Sequence, residues 1–186
     1  MTVREQAVGA YVEALASTAA VPGGGSAAAL AAAMGAALLS MVAKLSARKA
    51  QTEAARQSLT GVVPELDALA ARLLELSQED IDAYRAVIDA RKAGASGDVM
   101  HRAYEHAAEV PLATATAASR GIALGLEISK HAWEMTASDL AVGGELLETG
   151  LAGALGNVEI NLPELSPQST ARIEPRYREL RDRHPR

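Results

Sequence analysis

Apolar residues recur at helical spacing along most of the chain, and no segment shows the strict alternation of a half-buried strand. The first apolar stripe predicts an amphipathic helix over about 3–17. Three glycines at 23–25 follow. A run rich in alanine and leucine then predicts a second helix, from an N-cap at Ser26 to about Ser58. The pattern therefore indicates an all-α fold.

Glycine and proline divide the rest of the chain. We expect Gly61 to interrupt the helical pattern and Pro64 to open a third helix that extends to about Lys92. A fourth helix is expected from a cap at Asp98 to a bend or boundary at Val110–Pro111. A fifth is expected over about 112–133. A sixth is expected from a cap formed by Thr136, Ser138 and Asp139 to about Leu155. The tail over 163–186 contains several prolines and many charges, so only a short or frayed helix is expected there.

The composition favours tight helix packing. Hydrophobic residues make up 49% of the 186 residues, but aromatic residues only 3%, and phenylalanine is absent. Small side chains let helices approach closely, so we expect one multihelical domain over 1–186. The net charge of −5 argues against a nucleic-acid-binding protein. The absence of cysteine excludes disulfides and thiolate metal ligands, and the histidines lack metal-ligand spacing.

Residues 14–43 carry no charge, so a membrane span is an alternative to a buried helix. Pro22 and the glycines divide this stretch. The apolar part that follows is mostly alanine and is short for a span of about 20 residues. No signal-peptide pattern is present either. A soluble cytoplasmic protein that does not bind a membrane is therefore expected.

The glycine stretch before the second helix is the first candidate for a binding site. Glycine allows close approach of a ligand to the backbone, and a helix N-terminus offers unpaired N–H groups with partial positive charge. No Gly-Lys-Ser/Thr sequence follows, so this is not a nucleotide-binding P-loop. A tight loop that only brings two helices together explains the same residues equally well.

A single carboxylate lies on the inward stripe of the third helix. The stripe consists of Leu66, Leu69, Leu73, Leu76, Asp80, Tyr84 and Val87. Burial of a carboxylate raises its pKa and prepares it for acid–base chemistry at neutral pH. The alternative is a buried aspartate that bonds to the end of a neighbouring helix, and we favour the functional interpretation of Asp80.

Other polar residues have simpler explanations when each is taken alone. Asp139 precedes an apolar run and fits an ordinary helix cap. Asn157 and Asn161 stand where a helix is expected to end, a common position for asparagine. Arg48 and Lys49 close the apolar part of the second helix, where a solvated face accounts for them.

Five segments in series carry a resemblance to a known family: PGGGSAAALAAAMGAALLSMVAKLS, EDIDAYRAV, AAEVPL, SDLAVG and NVEIN. They resemble the cyclodeaminase/cyclohydrolase family, which includes the C-terminal domain of formiminotransferase-cyclodeaminase and bacterial methenyltetrahydrofolate cyclohydrolases. The resemblance extends from Val8 to about Leu162. It implies an all-helical fold, a homodimer formed through long helices, and a tetrahydrofolate derivative as substrate, with no permanently bound cofactor or metal.

The resemblance also implies an activity and a site. The activity is hydrolysis of 5,10-methenyltetrahydrofolate to 10-formyltetrahydrofolate, or cyclisation of 5-formiminotetrahydrofolate with release of ammonia, with a separate formiminotransferase as a possible supplier. Asp80 and Asp139 are the expected catalytic carboxylates, in either order of roles. The expected substrate-binding residues are Gly23, Gly24, Gly25, Ser26 (as a hydrogen-bond donor), Tyr84, Glu109, Asn157, Asn161, and Arg48 and Lys49 for the glutamate tail of the folate.

One segment departs from the family pattern, and Glu109, which matches that pattern, has an unexpected place on its helix. Members often carry a Gly-Asn-x-Asn-like segment just before Ser-Asp, whereas this chain has KHAWEMTASD. Helical periodicity also places Glu109 opposite Tyr104, Ala107 and Pro111. The departing segment supports an alternative hypothesis, a non-catalytic helical dimer or a folate-binding relative that has lost activity.

Overall fold

The computed structural model describes residues 2–184, which form α-helices joined by short connections and contain no strand. The all-α prediction is confirmed. The elements in chain order are α1 (Val8–Leu15), α2 (Gly24–Ala47), α3 (Glu53–Lys92), α4 (Asp98–Ser129), a 3-10 turn (Glu134–Thr136), α5 (Ala137–Asn161), a second 3-10 turn (Leu162–Glu164) and α6 (Pro167–Arg183).

Helix α2 is the centre of the bundle and packs against α3, α4 and α5. It runs antiparallel to α5, since Gly24 lies near Asn157 while Gly35, further along α2, lies near Gly143. A Cβ on Gly35 would stand only 2.7 Å from the carbonyl oxygen of Gly143, so the two backbones touch. The first turn of α2 and the last turns of α5 are therefore at the same end of the bundle.

The uncharged helix α2 is long and apolar enough to cross a membrane by length and composition alone. However, 61% of its most apolar window is buried inside the protein. The core helix of a bundle has these same properties, as the sequence led us to expect. Its remaining face is open to solvent, with Met34 50% and Met41 37% exposed.

Three predicted helix boundaries, the start and end of α2 and the start of α3, are wrong. Helix α2 begins at Gly24 with Gly23 as its N-cap and ends at Ala47, so Ser26 is not the cap. Gly61 and Pro64 lie within α3, which starts at Glu53 after the Thr52 side chain accepts a hydrogen bond from the Ala55 amide. The α3 helix continues because its buried side chains on either side of the proline are fixed in the core, namely Leu59, Val62 and Leu66.

The predicted boundary at Val110–Pro111 is also wrong, because α4 runs through both residues and ends at Ser129 rather than near Trp133. Val110 and Leu112 are buried on either side of the proline, so core packing again outweighs the lost backbone hydrogen bond. Helix α1 covers only Val8–Leu15 of the expected 3–17.

The C-terminal elements are longer than predicted. Helix α5 starts after Thr136 as expected, but no side chain caps it, and it continues to Asn161. The tail forms a 17-residue helix, α6, capped by Ser166 and packed through Ile173, Tyr177 and Leu180. Pro167 stands in the first turn of α6, where proline costs no hydrogen bond. The prediction of a frayed tail is therefore wrong, although residues 185–186 lie outside the described part.

Candidate active site

The first turn of α2, the middle of α3 and the end of α5 enclose a cavity of about 190 Å³. Segment 20–25, which leads into α2, forms one wall. The cavity brings together several of the predicted site residues, and the lining comprises Gly23, Gly24, Gly25, Asp80, Tyr84, Asn157 and Asn161, together with Ala20, Val21, Ala83, Ala107 and Ile160.

The Asp80 carboxylate lies directly over the first turn of α2. The backbone N–H of Ser26, one of the donors that a helix leaves unpaired at its N-terminus, donates a hydrogen bond to it. Gly25 makes this approach possible, since a Cβ there would stand 2.6 Å from Cγ of Asp80. The sequence left two interpretations of Asp80, a functional acid–base group and a buried aspartate bonded to the end of a neighbouring helix. The structure is compatible with both at once, because the carboxylate lies at the start of α2 and also lines the cavity.

Burial raises the pKa of the Asp80 carboxyl from its ordinary 3.8 to about 6, although the hydrogen bond from the Ser26 amide acts in the opposite direction. Burial is the larger effect because the surrounding side chains provide no positive charge that would favour the ionised form. A carboxyl with this pKa is close to the range where it can both accept and return a proton at neutral pH.

Two asparagine side chains line the cavity and are fixed by hydrogen bonds from their amide nitrogens. Nδ2 of Asn161 donates to the carbonyls of Ala107 (3.1 Å) and Asn157 (2.8 Å), which uses both of its protons. Nδ2 of Asn157 donates to the Gly153 carbonyl at 2.8 Å. Within residues 2–184 no buried side-chain polar atom lacks a partner, so the amide oxygen of Asn161 is accessible.

The opening of the cavity is apolar and aromatic. Tyr84, one turn after Asp80 on α3, is 48% exposed, and Ile160 on α5 is 70% exposed. Large apolar side chains at the mouth of a polar cavity are suited to hold a flat, partly apolar ligand. The site thus combines an acidic group and two amide side chains inside with a hydrophobic rim outside.

The sequence from residue 7 to residue 175 matches the family model described as formiminotransferase-cyclodeaminase. The chain belongs to the formiminotransferase-cyclodeaminase family. Formimidoyltransferase-cyclodeaminase of Gallus gallus is 32% identical over 169 residues, which is 87% of this chain but 31% of the relative. The chain thus spans about a third of the length of that relative.

A second relative is similar in size to this chain. Methenyltetrahydrofolate cyclohydrolase of Methylorubrum extorquens is 31% identical over 179 residues, covering 91% of this chain and 85% of the relative. The crystal structure of formiminotetrahydrofolate cyclodeaminase from Thermotoga maritima superposes with a TM-score of 0.83, over 97% of this chain and 96% of that one. Its identity is 23%, so it shows that the fold is shared.

Ser26 contributes to this family site in a different way from the one predicted. Its hydroxyl is fully buried and bonded to the hydroxyls of Tyr11 and Ser77, whereas its backbone amide holds Asp80. The contacts of Tyr11 and Ser77 with Ser26 are not predicted from the sequence. Tyr11 belonged to the apolar stripe of the first helix, but nothing in the sequence pointed to its hydroxyl partner on α2.

Three predicted residues lie at the opposite end of the bundle. A helix rises 1.5 Å per residue. Arg48, which follows α2, is therefore about 36 Å from Gly24. Asp139 is about 27 Å from Asn157 along α5. The Lys49 ammonium lies 5.3 Å from the centre of the Trp133 ring. Within one chain, none of the three reaches the cavity that holds Asp80.

Glu109 also lies outside the cavity. It forms an ion pair with Arg172 of α6, which also pairs with Glu105. This placement agrees with the helical periodicity, which put Glu109 on the side away from Ala107. In the part of the chain that the structure describes, no group of three or more histidine, aspartate or glutamate residues could hold a metal ion.

Proposed function

We propose that this chain is a folate one-carbon enzyme, which either hydrolyses 5,10-methenyltetrahydrofolate to 10-formyltetrahydrofolate or cyclises 5-formiminotetrahydrofolate with release of ammonia. Its relatives carry the names of both activities. The observation that supports it most directly is the cavity lined by the Asp80 carboxyl group and two asparagine side chains, because both reactions involve a cationic one-carbon group between two nitrogens.

Hydrolysis requires a proton acceptor. Water attacks the methenyl carbon and loses one proton. The bond from that carbon to N5 then breaks as the remaining hydroxyl proton passes to N5, which leaves the formyl group on N10. We assign the proton transfer to Asp80, whose carboxylate form also stabilises the positive charge of the methenyl group. Asn157 and Asn161 line the cavity together with Asp80 and are placed to bind polar groups of the substrate.

Cyclisation requires a proton donor as well. N10 attacks the formimino carbon to form a tetrahedral intermediate, and the N10 proton passes to the former imino nitrogen. That nitrogen takes up one further proton and leaves as ammonia, which gives the methenyl cation. A carboxyl with a pKa of about 6 is able to supply that proton near neutral pH and to recover it afterwards. The Tyr84 ring at the rim is placed to pack against the pterin ring in either reaction.

The experiment that tests this function follows the absorbance of the methenyl compound. Purified protein is expected to remove the methenyl band faster than spontaneous hydrolysis, or to generate it from the formimino compound. If both rates stay at the spontaneous level while folates still raise the melting temperature, the chain is a binding relative without activity. If no folate raises the melting temperature either, the proposal is wrong.

We also propose a homodimer formed through the solvent-exposed face of α2. This face contains Met34, Ala37 and Met41 and carries no charge before Lys44, so covering it with a second copy removes apolar surface from water. In a two-fold dimer with antiparallel α2 helices, the partner subunit's Arg48 and the partner subunit's Lys49 come near the cavity. We therefore propose that Arg48, Lys49 and Asp139 act on substrate only in the cavity of the other subunit of the dimer.

The dimer proposal predicts that Ala37→Glu converts the protein to a monomer, because each copy would bury a charge in the interface. Sedimentation equilibrium should show wild type at twice the chain mass of 19.3 kDa and the variant at that mass. Ala71→Glu, at an exposed alanine of α3, is the matched control and should stay dimeric. A monomeric wild type, or a dimeric Ala37→Glu variant, would contradict the proposal.

We propose that a formiminotransferase supplies the formimino substrate, and that both activities are located in the cytoplasm.

A further inference from the structure

Three buried hydroxyl groups connect α1, α2 and α3 behind the cavity. The Tyr11 hydroxyl lies 2.8 Å from Oγ of Ser26, which lies 2.9 Å from Oγ of Ser77. Oγ of Ser77 in turn donates to the backbone carbonyl of Ser26 at 2.9 Å. All three residues are at most 5% exposed, so water does not compete for these hydrogen bonds.

Counting protons fixes the direction of the chain of hydrogen bonds. Each hydroxyl carries one proton. The proton of Ser77 is used on the Ser26 carbonyl, so the Ser26 hydroxyl must donate to Ser77. The Tyr11 hydroxyl must then donate to Ser26. Tyr11 is therefore the first donor, and without its hydroxyl a buried acceptor site on Ser26 is left empty.

The same residue, Ser26, is held by its side chain and holds Asp80 by its backbone. Its amide N–H donates to the Asp80 carboxylate, and Ser77 lies one helical turn before Asp80 on α3. We propose that Tyr11 is a positioning residue for the folate reaction proposed above, and this inference rests on that proposed function. By donating to Ser26, Tyr11 keeps the first turn of α2 in register with Asp80.

Tyr11 has a further effect on the wall of the cavity. It is the buried residue of α1, whose neighbours Val8 and Val12 are 80% and 55% exposed. Tyr11 packs with Val3 and Ile81 in a small apolar cluster. Ala20 and Val21, which line the cavity, follow α1 in the chain, so the anchoring of α1 also restrains this wall.

The electrostatic surroundings of Asp80 make the contact with Ser26 measurable. Burial raises the pKa of Asp80 and the Ser26 amide lowers it. On α3, Glu79 pairs with Arg72. The ionisable groups on the elements around the site include Tyr11 and Glu13 on α1, Glu75, Glu79, Asp82, Tyr84 and Arg85 on α3, Tyr104, Glu105, His106 and Glu109 on α4, and Glu159 on α5, while α2 has none before Lys44.

The test is a direct titration of the Asp80 carboxyl by carbon-13 NMR in wild type, Tyr11→Phe and Ser77→Ala. Loosening the Ser26 amide removes an interaction that lowers the pKa of Asp80, so we expect the pKa to rise by about half a unit in both variants. Tyr104→Phe is the matched control. Tyr104 is a buried tyrosine that accepts a hydrogen bond from Arg91, away from this network, so the pKa of Asp80 should not move.

An unchanged Asp80 pKa in Tyr11→Phe and Ser77→Ala overturns the inference, whatever their melting temperatures. Should Tyr11→Phe fail to fold, Ser77→Ala decides the question alone. In the turnover assay, the lower-pH limb of kcat/KM should move upward with the NMR value, which a loss of stability alone does not produce. A wild type without turnover refutes the proposed function, and the titration still decides whether Tyr11 positions Asp80.

Discussion

Replacing Asp80 by asparagine is expected to abolish turnover and to stabilise the protein at the same time. Asparagine has nearly the same shape, and its Oδ1 can accept the hydrogen bond from the Ser26 amide, but it cannot exchange a proton. Loss of a general acid–base group costs about 10²–10⁴-fold in rate, and the methenyl cation also loses its countercharge. We therefore expect kcat/KM to fall by at least about 10³-fold.

The expected stabilisation follows from the sign of the pKa shift. The pKa of Asp80 is about 6 in the folded protein against an ordinary 3.8, so the unfolded chain ionises at lower pH than the folded chain. Stability is therefore lost as pH rises from about 4 to 6 and stays lower above that. Two pKa units correspond to about 3 kcal/mol, an upper limit for what the neutral asparagine restores.

Thermal unfolding of the two proteins at several pH values checks this prediction. Asp80→Asn should melt several degrees higher than wild type at pH 7.5, and the difference should shrink as pH falls towards 4. Asp82→Asn is the matched control, because Asp82 lies on the same helix but is exposed. It should change neither turnover nor the melting temperature appreciably. Full turnover in Asp80→Asn would refute the assignment of Asp80.

The inward-facing position of the Asp80 side chain could be predicted from the sequence because it depends only on the helical period of α3. A carboxylate within a row of leucines on a single helix is visible without any knowledge of neighbouring helices. Its partners could not be predicted in the same way. Ser26 and Asn157 come from helices far away in the chain, and their distance from Asp80 depends on how α2, α3 and α5 pack.

The errors in helix boundaries have a related cause. Pro64 and Pro111 were expected to start or interrupt helices, since proline removes a backbone hydrogen bond. In the structure, both lie within long helices whose flanking apolar side chains are buried. The local penalty is visible in the sequence, whereas the burial that outweighs it comes from contacts between helices. The distance between Asp139 and Asp80 escaped prediction for the same reason.

Substitution of Gly25 by alanine is expected to reduce kcat/KM by about 100-fold or more without unfolding the protein. Alanine in a helix is normally more stable than glycine by about 1 kcal/mol. At position 25, however, the added methyl group would stand 2.6 Å from Cγ of Asp80, so the carboxylate has to move away from the Ser26 amide. A displacement of about 1 Å is enough to cost about 10² in rate.

Two further glycine variants separate this effect from that of added helix propensity. A methyl group on Gly24 meets Nδ2 of Asn157 at 3.8 Å, an ordinary contact, so Gly24→Ala should keep turnover within about tenfold of wild type. On Gly61 it meets nothing within 4 Å, so Gly61→Ala should be fully active and slightly more stable. Steady-state rates and melting temperatures of the three variants check this order. Equal turnover in Gly25→Ala and Gly24→Ala would mean that the close contact between Asp80 and the first turn of α2 is not needed for the chemistry.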